Sequence, residues 1–260
     1  MAASQSERAI EVHSRQAAEF DARYERLARD PYESCFAYSR MRLDAALARY
    51  VPFDGEGRRL LDVGVGTGHH LAQLRARGYE GAGIDGSTEM LDHARAANPG
   101  AELRRADVCS LPFEEAQFDI VVCIEVLRYL ENPQPCLYEM ARVLKPGGRC
   151  VATATPLFNL NAYALVNRAA PHLPAVHLTH LRQFFTTSRT LQSQFARAGF
   201  EDVRVHGVYV GPINWIERLL PRALPGLLRR WEPLDARLAD HPLMRDLSNM
   251  LLATGVRGSS

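Results

Sequence analysis

Three glycines at alternate positions constrain the fold of this chain more than any other feature. Gly64, Gly66 and Gly68 follow an apolar run and precede a helical segment, and Asp62 stands two residues before the first of them. Glycine lets a backbone turn sharply and approach a ligand without a side chain in the way. The N–H groups that begin a helix also attract anionic groups. The G-x-G-x-G spacing differs from the G-x-G-x-x-G of dinucleotide sites, and it predicts a ligand-binding turn, with a plain strand–helix turn as the alternative.

Apolar segments of strand length alternate with helical segments around this turn. The predicted strands cover residues 59–63, 81–85, 101–108, 118–124 and 148–155. The predicted helices between them cover residues 69–77, 87–97 and 134–144. Such alternation is typical of a parallel sheet with helices on both faces, and continuous apolar runs indicate strands that are covered on both sides. We therefore predict an α/β fold.

The remaining sequence flanks this core on both sides. Residues 7–50 have helical character with a break at Pro31, and residues 51–57 have the composition of a linker. Beyond Pro156, the predicted elements are an irregular insert over 157–185, a helix over 188–198, a strand over 201–210, a helical stretch over 213–246 and a last strand over 249–256. We predict an N-terminal helical cap at residues 1–52 and one domain at residues 53–260, with inserts at 157–185 and 213–246.

The charge of the chain is nearly balanced, with 31 Lys and Arg against 30 Asp and Glu. This balance disfavours a general nucleic-acid binder, which usually carries a strong positive charge. The first ten residues lack an apolar segment long enough for a signal peptide, and no run approaches the ~18 apolar residues of a membrane span. Five cysteines without a CxxC pair indicate reduced thiols. These features predict a cytoplasmic protein.

Two more acids stand where the second and third predicted strands end. Asp85 lies 17 residues beyond Gly68, and a carboxylate there can accept hydrogen bonds from both ribose hydroxyls of a nucleoside. Asp107 follows the third strand and could accept a hydrogen bond from an adenine amino group. Because parallel strands end at the same edge of a sheet, these acids and Asp62 would converge on one crevice. A surface turn is the alternative for Asp85 and for Asp107.

With these motifs in place, the chain resembles the class I S-adenosylmethionine-dependent methyltransferases. It is most similar to the small-molecule group that includes ubiquinone- and menaquinone-biosynthesis enzymes (methyltransferase type 11). The segments that carry the resemblance are LLDVGVGTG (60–68), GIDGSTEML (83–91), ADVCSLPFEEAQFDIVVCIEVLRYL (106–130) and MARVLKPGG (140–148). Residues 56–156 match closely, and residues 180–200 match more loosely. The resemblance implies a Rossmann-like seven-stranded sheet with a reversed final hairpin, which binds S-adenosylmethionine and releases S-adenosylhomocysteine.

The resemblance also implies how the methionyl part of the cofactor is held. The three loop glycines would pack against it, with Asp62 nearby. Glu125, just past the fourth strand, would lie beside the methionyl part or at the substrate entrance. In many relatives an aromatic-Asp-x-x-Tyr segment closes over the cofactor. Residues 20–24, Phe-Asp-Ala-Arg-Tyr, fit that pattern loosely, which makes Tyr24 a candidate contact.

The nucleoside part of the cofactor would be bound by the next two strand ends. By resemblance, Asp85 would hold the ribose, and Asp107 and Val108 would contact the edge of the adenine. Met90 would lie against the adenine face, although packing of its helix is an equal alternative.

The sequence departs from some relatives just after the fourth strand. Several relatives have E-V-x-E-H there and can bind a metal with the acids and the histidine, whereas this chain has Glu-Val-Leu-Arg-Tyr at residues 125–129. Arginine cannot ligate a cation, so we expect no metal at this site. The N/D-P-P-Y/F motif for planar amino groups of nucleic acids is also missing, since Cys-Ile-Glu-Val stands in its place.

Candidate substrate residues lie outside the cofactor motifs. Methyl transfer needs the nucleophile aligned with the methyl group in a water-poor pocket, and a general base when the nucleophile arrives protonated. His172, His177 and His180 cluster in the first insert, where this fold usually builds a substrate wall, and Arg128 and Tyr129 lie at the mouth of the crevice. Each histidine taken alone could be a surface residue. Our hypothesis is that His177 or Tyr129 deprotonates or orients the acceptor, with His180 and Arg128 as further substrate contacts.

Residues 213–231 combine an apolar composition with four arginines. They could form a hydrophobic lid, adhere to an anionic membrane surface, or pack on the sheet or on a second subunit. Two prolines and a glycine interrupt any long amphipathic helix there, which favours a lid or packing over membrane contact.

These observations together predict an enzyme that methylates a small molecule. We expect methyl transfer to an oxygen or nitrogen nucleophile of an aromatic or lipid-like metabolite, by in-line displacement, in a monomer or homodimer. A non-catalytic S-adenosylmethionine-binding scaffold or sensor is the alternative. A protein or nucleic-acid methyltransferase is disfavoured by the balanced charge and the missing proline motif.

Overall fold

Seven strands form one sheet in the computed structural model, which describes residues 5–27, 29–169 and 181–259. The strands are β1 (Arg59–Val63), β2 (Glu80–Asp85), β3 (Glu102–Arg105), β4 (Phe118–Cys123), β5 (Leu144–Ala154), β6 (Phe200–Gly207) and β7 (Leu251–Arg257). Their order across the sheet is β3-β2-β1-β4-β5-β7-β6, and β7 runs antiparallel to its neighbours β5 and β6. The predicted α/β fold with its reversed final hairpin is confirmed.

Helices cover both faces of the sheet and the carboxyl ends of its first strands. The α-helices are α1 (Gln5–Arg15), α2 (Ala17–Leu27), α3 (Cys35–Leu47), α4 (His69–Arg75), α5 (Thr88–Ala97), α6 (Gln134–Val143), α7 (Tyr163–Ala169), α8 (Ser188–Arg197), α9 (Ile213–Leu219) and α10 (Leu224–Leu238). Short 3-10 helices lie at Leu127–Tyr129 and Arg245–Leu247. Within the described residues, we find no helix that is both long and apolar enough to cross a membrane.

Successive residues of a strand belong alternately to two buried clusters, one on each face of the sheet. Leu61 and Val121 belong to one cluster, whereas their neighbours Leu60 and Ile120 belong to the other. Successive side chains of a strand point to opposite faces, so both faces must be covered for these residues to be buried. This explains why the strands are continuous apolar runs rather than alternating ones.

A buried carboxylate connects α3 to the C-terminal helices. Asp235 of α10 is fully buried, and its Oδ2 accepts a hydrogen bond from the Tyr38 hydroxyl at 2.6 Å. The same oxygen lies 3.1 Å from Nε of Arg42, and Oδ1 accepts from the backbone N–H of Val210 at 2.6 Å. α3 is therefore held firmly against α10, and the division into a cap and a domain at residue 52 stays a prediction.

The structure differs from the predicted elements mainly after residue 143. The Pro-Gly-Gly run at 146–148 lies within β5, which begins at Leu144, because the pairing with β4 shifts register and accommodates it. The insert at 157–185, predicted to be irregular, contains α7. The helical stretch at 213–246 divides into α9 and α10, and Pro225 lies in the first turn of α10, where its missing N–H costs nothing.

Candidate functional site

A cavity of about 620 Å³ opens where the carboxyl ends of β1, β2, β3 and β4 meet. Helices α1 and α2 cover it with Ile10, His13, Phe20 and Tyr24. Open α/β sheets bind their ligands at this edge. The residues predicted from the sequence that line the cavity are Tyr24, Asp62, Gly64, Gly66, Asp85, Met90, Asp107, Val108, Glu125 and Tyr129.

The three loop glycines serve different purposes. All three have positive φ angles, of 80° at Gly64, 54° at Gly66 and 80° at Gly68. A Cβ on Gly64 would lie 2.2 Å from Cγ2 of Val126, and one on Gly68 would lie 2.5 Å from Nδ2 of Asn98. A Cβ on Gly66 would meet no atom within 4 Å. Gly64 and Gly68 are therefore required by packing, whereas Gly66 leaves open space for a ligand beside the backbone.

Two carboxylates with unused acceptor positions stand at the ends of β2 and β3. Asp85 accepts hydrogen bonds from the backbone N–H groups of Gly66 and Ser87, both at 2.9 Å. Burial raises the pKa of Asp85, although these hydrogen bonds oppose the shift. Asp107 is exposed at the cavity edge and accepts from the N–H of Cys109 at 2.9 Å. A carboxylate has about four lone-pair sites, so both groups can accept further hydrogen bonds from a ligand.

Asp62, at the end of β1, lines the cavity although its side chain is almost entirely buried. It is 2% exposed, and it has no ion pair within the described part of the chain. Burial, and secondarily the neighbouring Asp85 carboxylate, raise the pKa of Asp62 to about 7. A cationic group placed beside it would favour the ionised form.

The cavity also offers apolar surface between the carboxylates. Met90, Val108, Leu130 and Ile10 line it, and Met90 and Leu130 are buried. The backbone N–H of Met90 donates to Oγ of Ser87 at 3.0 Å, which caps the start of α5. Met90 thus both packs in its helix and faces the cavity.

Glu125 has a left-handed backbone conformation, and two arginines bind its carboxylate. Its φ angle is +63°, in the left-handed region, and its N–H donates to Oγ1 of Thr153 at 2.7 Å. Its Oε2 accepts hydrogen bonds from Nη2 of Arg40 at 3.1 Å and from Nη1 of Arg128 at 2.8 Å. Burial alone would raise the pKa of Glu125, but the Arg128 and Arg40 guanidinium groups outweigh burial and hold it below its usual value. The residue is therefore a fixed, ionised carboxylate.

Arg40 is a cavity residue that the sequence analysis missed. It comes from α3, is 7% exposed, and its Nε has no hydrogen-bond partner within the described residues. An arginine in a helical segment of mixed charge usually lies in solvent, so the sequence carried no signal for it. Beyond its bond to Glu125, Arg40 retains donors that can bind an anionic group.

His13 of α1 was also missed, and it contacts the predicted residue Tyr129. Nε2 of His13 lies 3.3 Å from the Tyr129 hydroxyl, and both side chains line the cavity. Burial, and secondarily Arg128, lower the pKa of His13, which keeps its imidazole neutral at pH 7. Tyr24 stacks on His69, with ring centroids 4.0 Å apart, so α2 is held over the glycine loop.

The remaining predicted substrate residues are three histidines and Arg128. His172, His177 and His180 fall outside the described residues. Arg128 does not line the cavity: it lies behind Glu125, and its Nε and Nη2 donate to Oε1 of Gln183 at 3.2 and 2.5 Å. None of residues 213–231 lines the cavity, so this segment does not form a lid over it.

Within the described residues, no group of three or more His, Cys, Asp or Glu side chains is arranged to hold a metal ion. At 125–129, where some relatives could bind one, Glu125 is instead neutralised by its two arginines.

Known proteins with similar sequences decide the family. The profile of the methyltransferase domain family matches residues 61–152. The demethylmenaquinone methyltransferase of Clavibacter sepedonicus is 34% identical, over 60% of this chain and 70% of that protein. The ubiquinone/menaquinone biosynthesis C-methyltransferase of Desulfotalea psychrophila is 32% identical, over 60% of this chain and 71% of that protein. The chain belongs to the class I S-adenosylmethionine-dependent methyltransferases.

Two further kinds of similarity are more limited. The biotin biosynthesis bifunctional protein of Cellvibrio japonicus is 39% identical to this methyltransferase. The match covers 43% of this chain but only 23% of that longer protein. A solved methyltransferase of Thermotoga maritima, described as a possible histamine N-methyltransferase, has a TM-score of 0.64 at 17% identity and covers 95% of this chain and 99% of its own. The phosphoethanolamine N-methyltransferase 2 of Haemonchus contortus, solved with S-adenosylhomocysteine, has a TM-score of 0.59 at 22% identity. The match covers 85% of this chain and 53% of that one. These two structures show the shared fold.

S-adenosylmethionine is the methyl donor of this methyltransferase, and the cavity fits it. The open space beside Gly66 admits the ligand close to the backbone. Asp85 and Asp107 provide acceptors for hydroxyl and amino groups, and the apolar side chains between them suit a flat base.

Proposed function

We propose that this methyltransferase transfers a methyl group to an oxygen or nitrogen nucleophile of a small metabolite, aromatic or lipid-like. One observation carries the proposal. The order of the strand ends places Asp107 and Asp85 at one side of a single cavity and Glu125 and Tyr129 at the other. The cofactor occupies the first side in this proposal, and the second side, covered by His13 of α1, receives the acceptor.

The proposed cofactor contacts follow from this placement. Asp85 holds the ribose hydroxyls, Asp107 and Val108 contact the adenine edge, and Met90 lies against the adenine face. The methionyl part lies along the glycine loop. The residues we propose around that part are Tyr24, Arg40, Asp62, Gly64, Gly66 and Glu125, with Gly68 shaping the loop from behind.

Charge supports this arrangement of the methionyl part. Asp62 becomes fully ionised when a cationic amino group lies beside it, and Arg40 has donors for a carboxylate. Two guanidinium groups face one Glu125 carboxylate, so the cluster carries a net positive charge. An anionic group of a ligand would balance that charge.

The protein's own contribution to the reaction is alignment, exclusion of water and proton acceptance. Bound S-adenosylmethionine supplies a methyl group that its positive sulfur has already activated. Phe20 and Tyr24 cover the cavity from α2, which would limit the access of water to the methyl group and help to hold the acceptor in line with it. Arg128 touches Gln183 and Glu125 rather than the cavity, so we assign it a positioning role.

His13 and Tyr129 form the proposed acceptor-activating pair. A neutral imidazole can take a proton from a hydroxyl, phenol or ammonium group, and the Tyr129 hydroxyl orients it at 3.3 Å. Because burial lowers the pKa of His13, we expect activity to persist to lower pH than an ordinary histidine base would allow. His177 remains a second candidate for the same role.

A labelled-methyl assay tests the proposal. The protein is incubated with methyl-labelled S-adenosylmethionine and a fractionated cell extract, and we expect label in a small-molecule fraction. His13→Gln and Tyr129→Phe should each lower kcat about tenfold to a hundredfold, with S-adenosylhomocysteine affinity unchanged. His241→Gln, an exposed histidine away from the cavity, is the matched control and should change neither quantity.

Three results would contradict the proposal. Label confined to protein or nucleic acid would identify a macromolecular acceptor. S-adenosylhomocysteine binding without any transfer would favour a scaffold or sensor. Unchanged kcat in both the His13 and the Tyr129 variants would remove the activating pair.

A further inference from the structure

Two segments on the C-terminal side of the sheet are joined into one surface. Residues 157–168, which include all of α7 but its last residue, pack against residues 213–222, which include α9. Nε1 of Trp215 donates to the carbonyl oxygen of Asn161 at 3.1 Å, and the N–H of Asn214 donates to Oδ1 of Asn161 at the same distance. We call this surface, residues 157–168 and 213–222, the basic apolar face.

Large apolar side chains of this face point into solvent. Leu219 is 72% exposed, Leu165 69% and Phe158 58%. Trp215, Leu160 and Leu220 are exposed to a smaller but still large extent. Leu157 is also exposed, at 40%. A single exposed leucine is ordinary, but a group of seven on adjoining segments is typical of an interaction surface.

The charge of the face has one sign. Arg168, Arg218 and Arg222 are exposed and form no ion pair with any described residue. The one acid in the two segments, Glu217, is turned inward, where its Oε1 accepts from the N–H of Cys35 at 2.9 Å. Residues 140–200 contain no Asp or Glu, in a chain that has 30. The exposed surface therefore combines unpaired cations with apolar side chains and no exposed acid.

We propose that the basic apolar face docks the protein on an anionic lipid surface. Arginines attract anionic headgroups, while leucines and a tryptophan enter the boundary between headgroups and acyl chains. The positive charge of the face favours an anionic lipid over a second copy of this chain, because a two-fold contact would bring like charges of the two copies together. The two prolines of the 213–231 segment do not prevent docking, since the short helix α9 presents its apolar side chains without forming one long amphipathic helix.

Docking would place lipid next to the acceptor side of the cavity. Asn167 of α7 donates from Nδ2 to the carbonyl oxygen of Leu181 at 3.1 Å and accepts from the N–H of Gln183 at 3.2 Å. Gln183 in turn holds Arg128, which holds Glu125 at the cavity. A continuous series of hydrogen bonds thus connects the basic apolar face with the acceptor side of the cavity. The docking proposal itself does not depend on which acceptor is methylated.

Vesicle binding by the full protein tests the inference. The probe is a vesicle of equal parts phosphatidylglycerol and phosphatidylcholine, compared with phosphatidylcholine alone, in a flotation assay. We expect binding to the anionic vesicles that weakens as salt is added. Arg218→Glu with Arg222→Glu, and separately Trp215→Ser with Leu219→Ser, should each reduce the partition coefficient about tenfold or more.

Matched controls separate this face from general surface effects. Phe53→Ser removes a side chain that is 80% exposed in the predicted linker, and Arg95→Glu reverses an exposed charge on α5. Both should partition as the unaltered protein does. Affinity for S-adenosylhomocysteine, measured in every variant, shows that the fold and the cofactor site are intact.

Several outcomes would overturn the inference. These are absence of flotation with anionic vesicles, equal flotation with neutral ones, or equal losses in the control variants. A dimer in solution that the Trp215→Ser, Leu219→Ser variant abolishes would assign the face to contact between copies instead. Each of these results is independent of the methyl-transfer assay, so a failure here leaves the proposed function standing.

Discussion

Glu125 shows how one residue of the cavity is fixed by its surroundings. A left-handed backbone at a residue other than glycine costs about 1–3 kcal/mol, and the protein retains it because three partners hold the residue. Thr153 holds its N–H, and Arg40 and Arg128 hold its carboxylate. Glu125 is in turn the shared counter-ion of both arginines, so each group depends on the others.

We predict that Glu125→Ala lowers the free energy of unfolding by about 3 kcal/mol. The change leaves the largely buried charges of Arg40 and Arg128 without a counter-ion, and the loss of one partner of such a pair is strongly destabilising. Urea unfolding measures the effect. Glu11→Ala breaks an exposed ion pair with Arg15 and should change stability by less than about 0.5 kcal/mol. Equal effects of the two substitutions would contradict the interpretation.

We predict that Asp62 makes cofactor affinity sensitive to pH. Its pKa of about 7 means that half of the carboxyl groups are protonated at neutral pH when no ligand is bound. If Asp62 holds a cationic amino group, binding requires the ionised form. The affinity for S-adenosylhomocysteine should then fall as the pH decreases below 7, by at most about tenfold per pH unit.

Titration calorimetry between pH 5 and 8 measures this dependence. Asp62→Asn cannot ionise, so its affinity should be lower at pH 8 and nearly flat across the range. An Asp62→Asn variant that keeps the slope of the unaltered protein would assign the pH dependence to another group.

At the scale of elements, the glycines of the turn between β1 and α4 have different roles. Gly68 packs against α5, where a Cβ would lie 2.9 Å from Cα of Ala94, and Gly64 packs against Val126. Gly66 has open space beside it on the cavity side. The same motif therefore contains two glycines that packing requires and one, Gly66, that we propose for ligand binding.

Alanine substitutions should separate these two requirements. Gly66→Ala is expected to lower S-adenosylhomocysteine affinity more than tenfold while reducing stability by about 1 kcal/mol, the cost of the left-handed backbone. Gly68→Ala should reduce stability by about 3 kcal/mol, because backbone strain and overpacking add. Gly57→Ala is the control, since Gly57 has a φ of +74° and no atom near its Cβ position. A stability loss at Gly66 as large as that at Gly68 would refute the division.

At the scale of the whole molecule, the cavity lies between elements that are far apart in sequence. Helices α1 and α2 cover it, α3 supplies Arg40, and α3 is attached to α10 through Tyr38 and Asp235. A ligand in the cavity therefore contacts both the N-terminal helices and the sheet, and its binding energy adds to the stability of both.

We expect S-adenosylhomocysteine at a hundredfold excess over its Kd to add about 2.7 kcal/mol to the free energy of unfolding. For a chain of 260 residues this raises the Tm by about 5–10 °C in differential scanning calorimetry. The cap should unfold in the same transition as the sheet. Asp85→Ala, at the same ligand concentration, should show a much smaller shift, and an equal shift would indicate binding elsewhere.

The convergence of the proposed cofactor residues on one cavity could be predicted because its signals are local. Gly66, Asp85 and Asp107 each lie at or within three residues of the end of a strand. Parallel strands bring their ends to one edge, so position along the chain determined position in space. The length and apolar character of the strands likewise determined the layered α/β fold, which the structure confirms.

The rest depended on contacts between residues that are distant in sequence. Arg40 reaches Glu125 across 85 residues, and His13 reaches Tyr129 across 116, so no spacing rule connects them. The sequence of 213–231 was compatible with a lid, with packing or with membrane contact, because amphipathic composition does not say which face a helix buries. By itself, the sequence determined the fold and the family, and it predicted which carboxylates lie at the cavity. Only the tertiary structure decided which charges meet in the cavity and which apolar side chains stay outside it, because burial depends on what packs against each face.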